Sequence, residues 1–272
     1  SYYEYVNGQT HNRITESGLS DELSRVFQAN KRRYGSRRLK VEMQEMGYKV
    51  GRHRVRKLLK EQGLKAIQPH SFVPKTTQSK HGLVACPNLL GIGFEVVRPN
   101  QVWVSDITYI SLKNRKWAYL AAWTDLFTRR IVGWTIDTSM TQELIIVALN
   151  NGIKRYKPTS GLILHSDRGG QYFGIKFKQM IDKHHFKQSM AGVKSVYANA
   201  HAESIWATIK RELVEKGTFE SLEDAKTELF DYIEVYYNRN RRHLALNYQS
   251  PEKFEQMYHQ NQLLNLQSKV SA

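Results

Sequence analysis

"VWVSDITYI", Val102 to Ile110, is the stretch on which the fold turns. It is β-branched and aromatic, as a buried strand should be. Yet it carries an acid, Asp106, among Val102, Val104, Ile107 and Ile110. Downstream, "WAYLAAWTDL" (Trp117–Leu126) and "RRIVGWTID" (Arg129–Asp137) read as two more strands joined by a tight turn. Thr141 to Tyr156 reads as a helix with Leu144, Val147 and Ala148 inward. "GLILHSD" (Gly161–Asp167) is a short apolar strand ending in a second acid. Helical stretches follow at about Gly174–Lys183 and Asn199–Val214, with Asn199 as a plausible cap. "SLED", Ser221 to Asp224, is a capping box. It opens a long helix whose inner face is Leu222, Ala225, Leu229, Tyr232, Ile233 and Tyr236. Strands first, then helix alternating with strand, imply a mixed α/β layer fold.

The stretch upstream has a different texture. Leu19, Leu23, Val26 and Phe27 follow helical spacing. Ser36 can cap a second helix with Leu39, Met43 and Met46 inside, and Gly47 can stop it. A third helix has Val55, Leu58 and Leu59 inside and Gly63 at its end. The short "GYKVG" joins helices two and three in a helix-turn-helix pattern. Between Lys31 and Lys65, thirteen Lys and Arg face three Glu, an excess of ten positive charges. The outward face of the third helix would carry Arg52, His53, Arg54, Arg56 and Lys57, and Arg37 and Arg38 open the second. A dense patch of one sign suits DNA phosphates better than a merely solvated helix pair.

Charge points the same way for the whole chain. Its 272 residues hold 41 Lys and Arg against 25 Asp and Glu, a net charge of +16. Such an excess favours a polyanionic partner. No apolar run reaches the roughly 18 residues of a membrane span. The N-terminus, "SYYEYVNGQTHNR", lacks the apolar core of a signal peptide. Cys86 is the only cysteine, so no intrachain disulfide can form, which suits a reducing cytoplasm. Ile67 to Asn100, with Pro69, Pro74, Pro87 and Pro99, reads as a linker. Its His70, His81 and Cys86 match no common zinc spacing.

The acids carry the chemistry. A buried carboxylate is costly unless it is paired or binds a cation. Asp106 sits inside an apolar strand, and Asp167 ends another before "RGGQY", at the edge where open α/β sheets hold ligands. Glu203, in "ANAHAES", lies near the start of a helix. Carboxylates converging from separate elements are what hard divalent ions need, and two such ions can drive phosphoryl transfer. Asp125 and Asp137 stand near strand ends as well. Asp125 could cap its hairpin and Asp137 could lie on the surface, but residue types and positions leave the choice of trio open.

A resemblance narrows it. "VWVSDITYI", "ILHSDRGGQY", "ANAHAES" and "YYNRNRRHLALNYQSPEKF" occur in the order seen in bacterial insertion-sequence transposases with an integrase-like DDE core. The chain most resembles the IS-three family. "RRYGSRRLKVEMQEMGYKVGRHRVRKLLKEQGLKA" resembles the helix-turn-helix that precedes the core there, so the likeness runs from about Arg32 to Phe254. Thirty-five residues separate Asp167 from Glu203, the spacing of the retroviral-integrase-like subgroup.

The resemblance implies a ribonuclease-H-like core, Mg²⁺ or Mn²⁺ (two ions) on Asp106, Asp167 and Glu203, and DNA cleavage with strand transfer at element ends. Lys210, two helical turns beyond Glu203, matches a lysine that touches DNA backbone in related integrases. Arg168, Asn238, Arg241 and His243 are further candidate DNA contacts. For Asn238, Arg241 and His243, packing of the last helix is the alternative. The implied order is a tail (1–15), a helix-turn-helix domain (16–66), a linker (67–99), a catalytic core (100–256) and a second tail (257–272). The implied partners are double-stranded DNA at terminal repeats and target, a second copy or more on that DNA, and the upstream-frame product of the same element. The implied place is the bacterial cytoplasm at the nucleoid. With no heptad run, the chain reads as the downstream-frame product. Ala198 departs from the family, which has an aspartate there, as does "MAGVKS" before it. Two rivals stay open: a ribonuclease-H-like nuclease without strand transfer, and a catalytically weakened DNA-binding regulator.

Overall fold

The computed structural model describes residues 18–67, 85–91, 93–113, 115–192, 196–213 and 219–270, with 196–203 and 269–270 described in their backbone alone. His70 and His81 lie outside the described residues. The chain divides into two compact units, Ser1–His70 and Ser71–Ala272.

In the first unit, α1 (Leu19–Ala29) buries Leu19, Leu23, Val26 and Phe27, the residues its periodicity selects. Two departures concern α2 (Ser36–Glu45). Gly35, not Ser36, is its N-cap. Met46 is its C-cap and stands 45% exposed, so only Leu39 and Met43 face inward. Gly47 has φ +91°, and Tyr48 N–H reaches back to the Met43 carbonyl. That left-handed residue reverses the chain toward α3 (Arg52–Glu61), whose inner side is Val55, Leu58 and Leu59.

The second unit is built on a five-stranded sheet of order β3-β2-β1-β4-β5. β1 (Val102–Leu112), β2 (Lys116–Asp125) and β3 (Ile131–Asp137) are antiparallel neighbours. β4 (Ile163–Ser166) runs parallel to β1, and β5 (Lys187–Met190) parallel to β4. Side chains alternate between two faces. One face presents Trp103, Ala121, Trp123 and Val132 to α4 (Gln142–Tyr156) and α5 (Ile175–Lys183). The other presents Ile110, Leu112, Leu120 and Ala122 to α6 (Val196–Leu213) and α7 (Leu222–Phe230).

α4 turns Leu144 and Ala148 inward as expected, but Val147 is 45% exposed and Ile145 is buried instead. The helix lies close on β3 because Gly133 lets it: a Cβ there would collide with the Ala148 carbonyl oxygen. α6 begins at Val196, so Asn199 falls inside the helix rather than capping it. Ser221 does cap α7, accepting from Asp224 N–H, while Asp224 accepts from Glu220 N–H. α7 runs into a π-helical stretch, Asp231–Tyr237. The extra residue in its hydrogen-bonded ring brings Tyr237 inward and leaves Tyr236 part-buried. The last helix, α8 (Pro251–Val270), rests its first turns on Phe127 through Phe254 and Tyr258. Before β1, Leu89, Leu90 and Val96 pack on Val102, Val104 and Ile163.

Candidate active site

Parallel pairing of β1 with β4 sets Ser105 opposite Ser166. The next residues on the two strands are Asp106 and Asp167. Asp106 lies within β1 on the face that carries Val104 and Ile110, and Asp167 directly follows β4; the two strands run about 4.8 Å apart. That face is otherwise covered by the 89–96 segment on one side and by α6 on the other. Both carboxylates are half-buried.

Each is held by local backbone. Ile107 N–H donates to Asp106 Oδ1 at 2.7 Å, and Gly169 N–H to Asp167 Oδ1 at 2.9 Å. Burial pushes the Asp167 carboxyl up from the usual range, and the Gly169 bond only partly opposes it. A Cβ at Gly169 would sit 3.0 Å from Asp167 Oδ1, so glycine leaves the carboxylate room. On the opposite face, Tyr172 shares a 2.8 Å hydrogen bond with Ser105 Oγ. Burial, and then the charges of Asp167 and Asp106, push its hydroxyl well up. Lys210 on α6 is half-buried; burial lowers its pKa and the charge of Asp106 works the other way. The cation therefore lies within electrostatic reach of Asp106.

Position 203 lies on α6 two turns before Lys210, and the Glu203 side chain is outside the described residues, as is that of Ala198. Of "MAGVKS", residues 193–195 lie outside the description too. Among the described residues no three His, Cys, Asp or Glu converge. The two aspartates alone already fit a hard divalent ion: both offer oxygen, they follow paired residues of adjacent strands, and a cation would relieve the buried charge of Asp167.

The other acids are accounted for. Asp125 accepts from Asn100, Phe127 and Thr128 backbone N–H groups and from the Thr128 hydroxyl, so it braces the β2–β3 turn. Asp137 is exposed and caps Thr138 N–H at 2.6 Å.

The tail motif is committed to packing. Asn238 is buried, donating to the Ile131 carbonyl and accepting from Ile131 N–H, both at 3.0 Å. Arg241 is 3% exposed and grips Glu212 with two nitrogens. His243 packs edge-on against Tyr237 at 5.0 Å. A DNA contact does not carry over to Asn238 or Arg241, because their polar groups are spent inside the protein. Arg168 Nε donates to the Ala191 carbonyl at 3.0 Å, tying the Asp167 loop to the end of β5. In the first unit Arg37, Arg52, His53, Arg56 and Lys57 are exposed. Arg54 and Arg38 are half-buried, and the Arg38 guanidinium lies 5.4 Å from the Tyr34 ring centre.

Sequence reasoning passed over Tyr172, Glu212 and the His165–Ser189 pair. Glu212 had a signal: it follows Ile205 by seven residues and Ile209 by three, so helical spacing puts it on the apolar side. His165, buried with Nδ1 2.8 Å from Ser189 Oγ, had none.

Family models agree with this layout. An integrase core domain matches residues 96–195 and again 203–258, and an HTH-like domain matches 16–72. These matches, on a mixed sheet of this order with a helix-turn-helix upstream, make the chain a polynucleotidyl transferase with an integrase-like core. The 31 kDa protein of insertion element IS600 from Shigella sonnei is 38% identical over 95% of both chains. The InsF transposase of insertion sequence IS3A from Escherichia coli K12 is 37% identical over 85% of this chain and 79% of its own. The chain belongs to the IS3 family of insertion-sequence transposases, and its function is that of a DNA transposase. Among solved structures, the HTLV-2 integrase catalytic core in complex with magnesium is 16% identical with a TM-score of 0.45, over 59% of this chain and 99% of that one. No helix among the described residues is long and apolar enough to cross a membrane.

Proposed function

We propose that this transposase cuts DNA at the ends of its element and joins the freed 3′-hydroxyls to target DNA, using two Mg²⁺ ions held by Asp106, Asp167 and Glu203. The observation that supports the reading best is the β1–β4 register, which pairs Ser105 with Ser166, the residues just before Asp106 and Asp167. The bound ions would supply Lewis acidity at both the attacking and the leaving oxygen. The chain's residues do the rest. Asp106 would bind from within β1 and Asp167 from the residue that follows β4, so pairing of those two strands brings their backbones near one another. Gly169 N–H orients the Asp167 carboxylate. Lys210 would meet a backbone phosphate beside Asp106, a positioning contact without sequence information. Arg168, anchored through Nε, would do the same on the other side.

Residues 16–66 would grip the terminal repeat with Arg52, His53, Arg54, Arg56 and Lys57 on α3 and Arg37 and Arg38 on α2. Cutting two ends together calls for at least two copies on DNA, with the upstream-frame product as a further partner.

The test uses DNA bearing the element's end and a supercoiled plasmid. Wild-type protein with Mg²⁺ should nick the end and join a pre-cut end to the plasmid. Asp167→Asn should lose both by at least about 1,000-fold while DNA affinity holds. Nicking that survives Asp167→Asn sinks the site assignment, and nicking without joining replaces the transferase with a nuclease.

A further inference from the structure

Helix α6 has two flanks of different character. Ile205, Trp206, Ile209 and Leu213 bury its central stripe among β1, β2 and α7. At about 100° per residue, Lys210 falls within roughly 20° of position 203 on one flank, and Glu212 lies about 180° from position 203 on the other.

Glu212 is 1% exposed, and both its oxygens are held. Arg241 Nε donates to Oε2 at 2.9 Å, Arg241 Nη2 to Oε1 at 2.7 Å, and the Tyr232 hydroxyl to Oε2 at 2.9 Å. The guanidinium itself lies 5.6 Å from the Tyr237 ring centre, with the His243 ring 3.2 Å from Nη1. A buried pair of this kind contributes little net stability compared with apolar packing. What it does contribute is direction. Apolar contacts hold α6 on the sheet, but the hydrophobic effect has no preferred direction, so burial alone does not select one roll angle. A two-pronged guanidinium–carboxylate bond has one geometry. With side chains about 5–6 Å from the axis, a roll of about 10° moves a tip by about 1 Å, and a misplacement of that size can cost roughly 100-fold in rate.

We propose that Glu212 and Arg241 are positioning residues, a rotational pin that sets the roll of α6 and thereby brings Glu203 to Asp106 and Asp167. The pin rests on the reading of Glu203 as the third ligand, and neither pin residue touches metal or DNA.

The test replaces both charges at once, Glu212→Met with Arg241→Met, so that no charge is left buried alone. Readouts on the full chain are melting temperature, Mn²⁺ affinity by electron paramagnetic resonance, and nicking with Mg²⁺ against Mn²⁺. The double variant should fold and bind DNA as wild type does. It should bind Mn²⁺ about 10-fold more weakly, because a roll of α6 displaces one of the three ligands. It should also lose more nicking with Mg²⁺, which demands stricter geometry, than with Mn²⁺. A folded double variant with wild-type Mn²⁺ affinity and an unchanged Mg²⁺/Mn²⁺ ratio overturns the pin. Should the double variant not fold, Arg241→Lys decides: it keeps the charge but not the fork, and the same metal effects should appear at smaller size. Their absence overturns the pin equally. Glu203→Gln separates the two readings. If it leaves Mn²⁺ affinity intact, the ligand assignment falls and the pin with it; if it weakens binding and the pin variants do not, only the pin falls.

Discussion

The acids beside the start of β1 and those at its middle have opposite surroundings. Asp125, paired with Trp103 at the start, is 1% exposed and accepts four hydrogen bonds from one turn and Asn100. Further along, Asp106 and Asp167 are half-buried at the sheet edge, where Ile107 N–H donates to the first and Gly169 N–H to the second. Burial pushes the carboxyls of Asp125 and Asp167 up alike. For Asp125 the Thr128 backbone and hydroxyl and the Asn100 backbone oppose that push, whereas for Asp167 the Gly169 backbone does. An acid wrapped in donors is a brace. An acid left half-open beside a second acid suits a cation.

The contrast can be broken at three points. The largest effect should come from Asp125→Ala, which strands the buried N–H of Thr128 and the part-buried N–H of Asn100. We expect a loss of about 4 kcal/mol in urea unfolding, with nicking per folded molecule retained. Normal stability in that variant would make Asp125 no brace at all.

Next is His165, paired with Val104 two residues before Asp106 on β1. Burial lowers its pKa to about 4. Its folded pKa lies below the unfolded value near 6.5, so the folded protein resists protonation. Stability should be full above pH 6.5 and decline as pH falls toward about 4, by roughly 3 kcal/mol in all. His165→Asn should flatten that part of the unfolding profile, and an unchanged slope would mean the ring is not held neutral.

The smallest effect concerns Asp167→Asn without divalent metal. Because burial raises this carboxyl, its charge costs stability above the folded pKa, and the cost is relieved as pH falls toward the usual carboxylate range. Removing the charge should stabilise the protein at pH 7 by about 1 kcal/mol, near 3 °C in melting temperature. A destabilised variant would place Asp167 with Asp125.

The sequence is most legible where apolar runs are long. β1 to β4 and α1 to α5 announce themselves by period and caps. β5, "KQSM", is four residues with no β-branched side chain, and only its place beside β4 makes it a strand. Val147 and Met46 fit helical spacing, yet the stripe that faces inward is set by the partner surface. At α4 that surface is Gly133, where the close approach of the helix decides which residues touch. The acids Asp106 and Asp167 were readable because a carboxylate in an apolar strand is conspicuous. The roles of Asn238 and Arg241 were not, since an Asn or Arg on paper looks the same whether it meets a phosphate, a strand edge or a buried glutamate.

The π-helical stretch gives that tail a frame of reading. Asn238 N–H reaches five residues back to the Ile233 carbonyl, and Arg241 N–H to that of Tyr236. Everything after Tyr237 is thus offset by one position from the helix that leads in. Asn238 meets the strand edge and Arg241 meets Glu212 only in that offset. The segment between Phe230 and Arg241 can therefore change letters more readily than length. Losing one residue would keep every side chain of the motif and misaddress all of them.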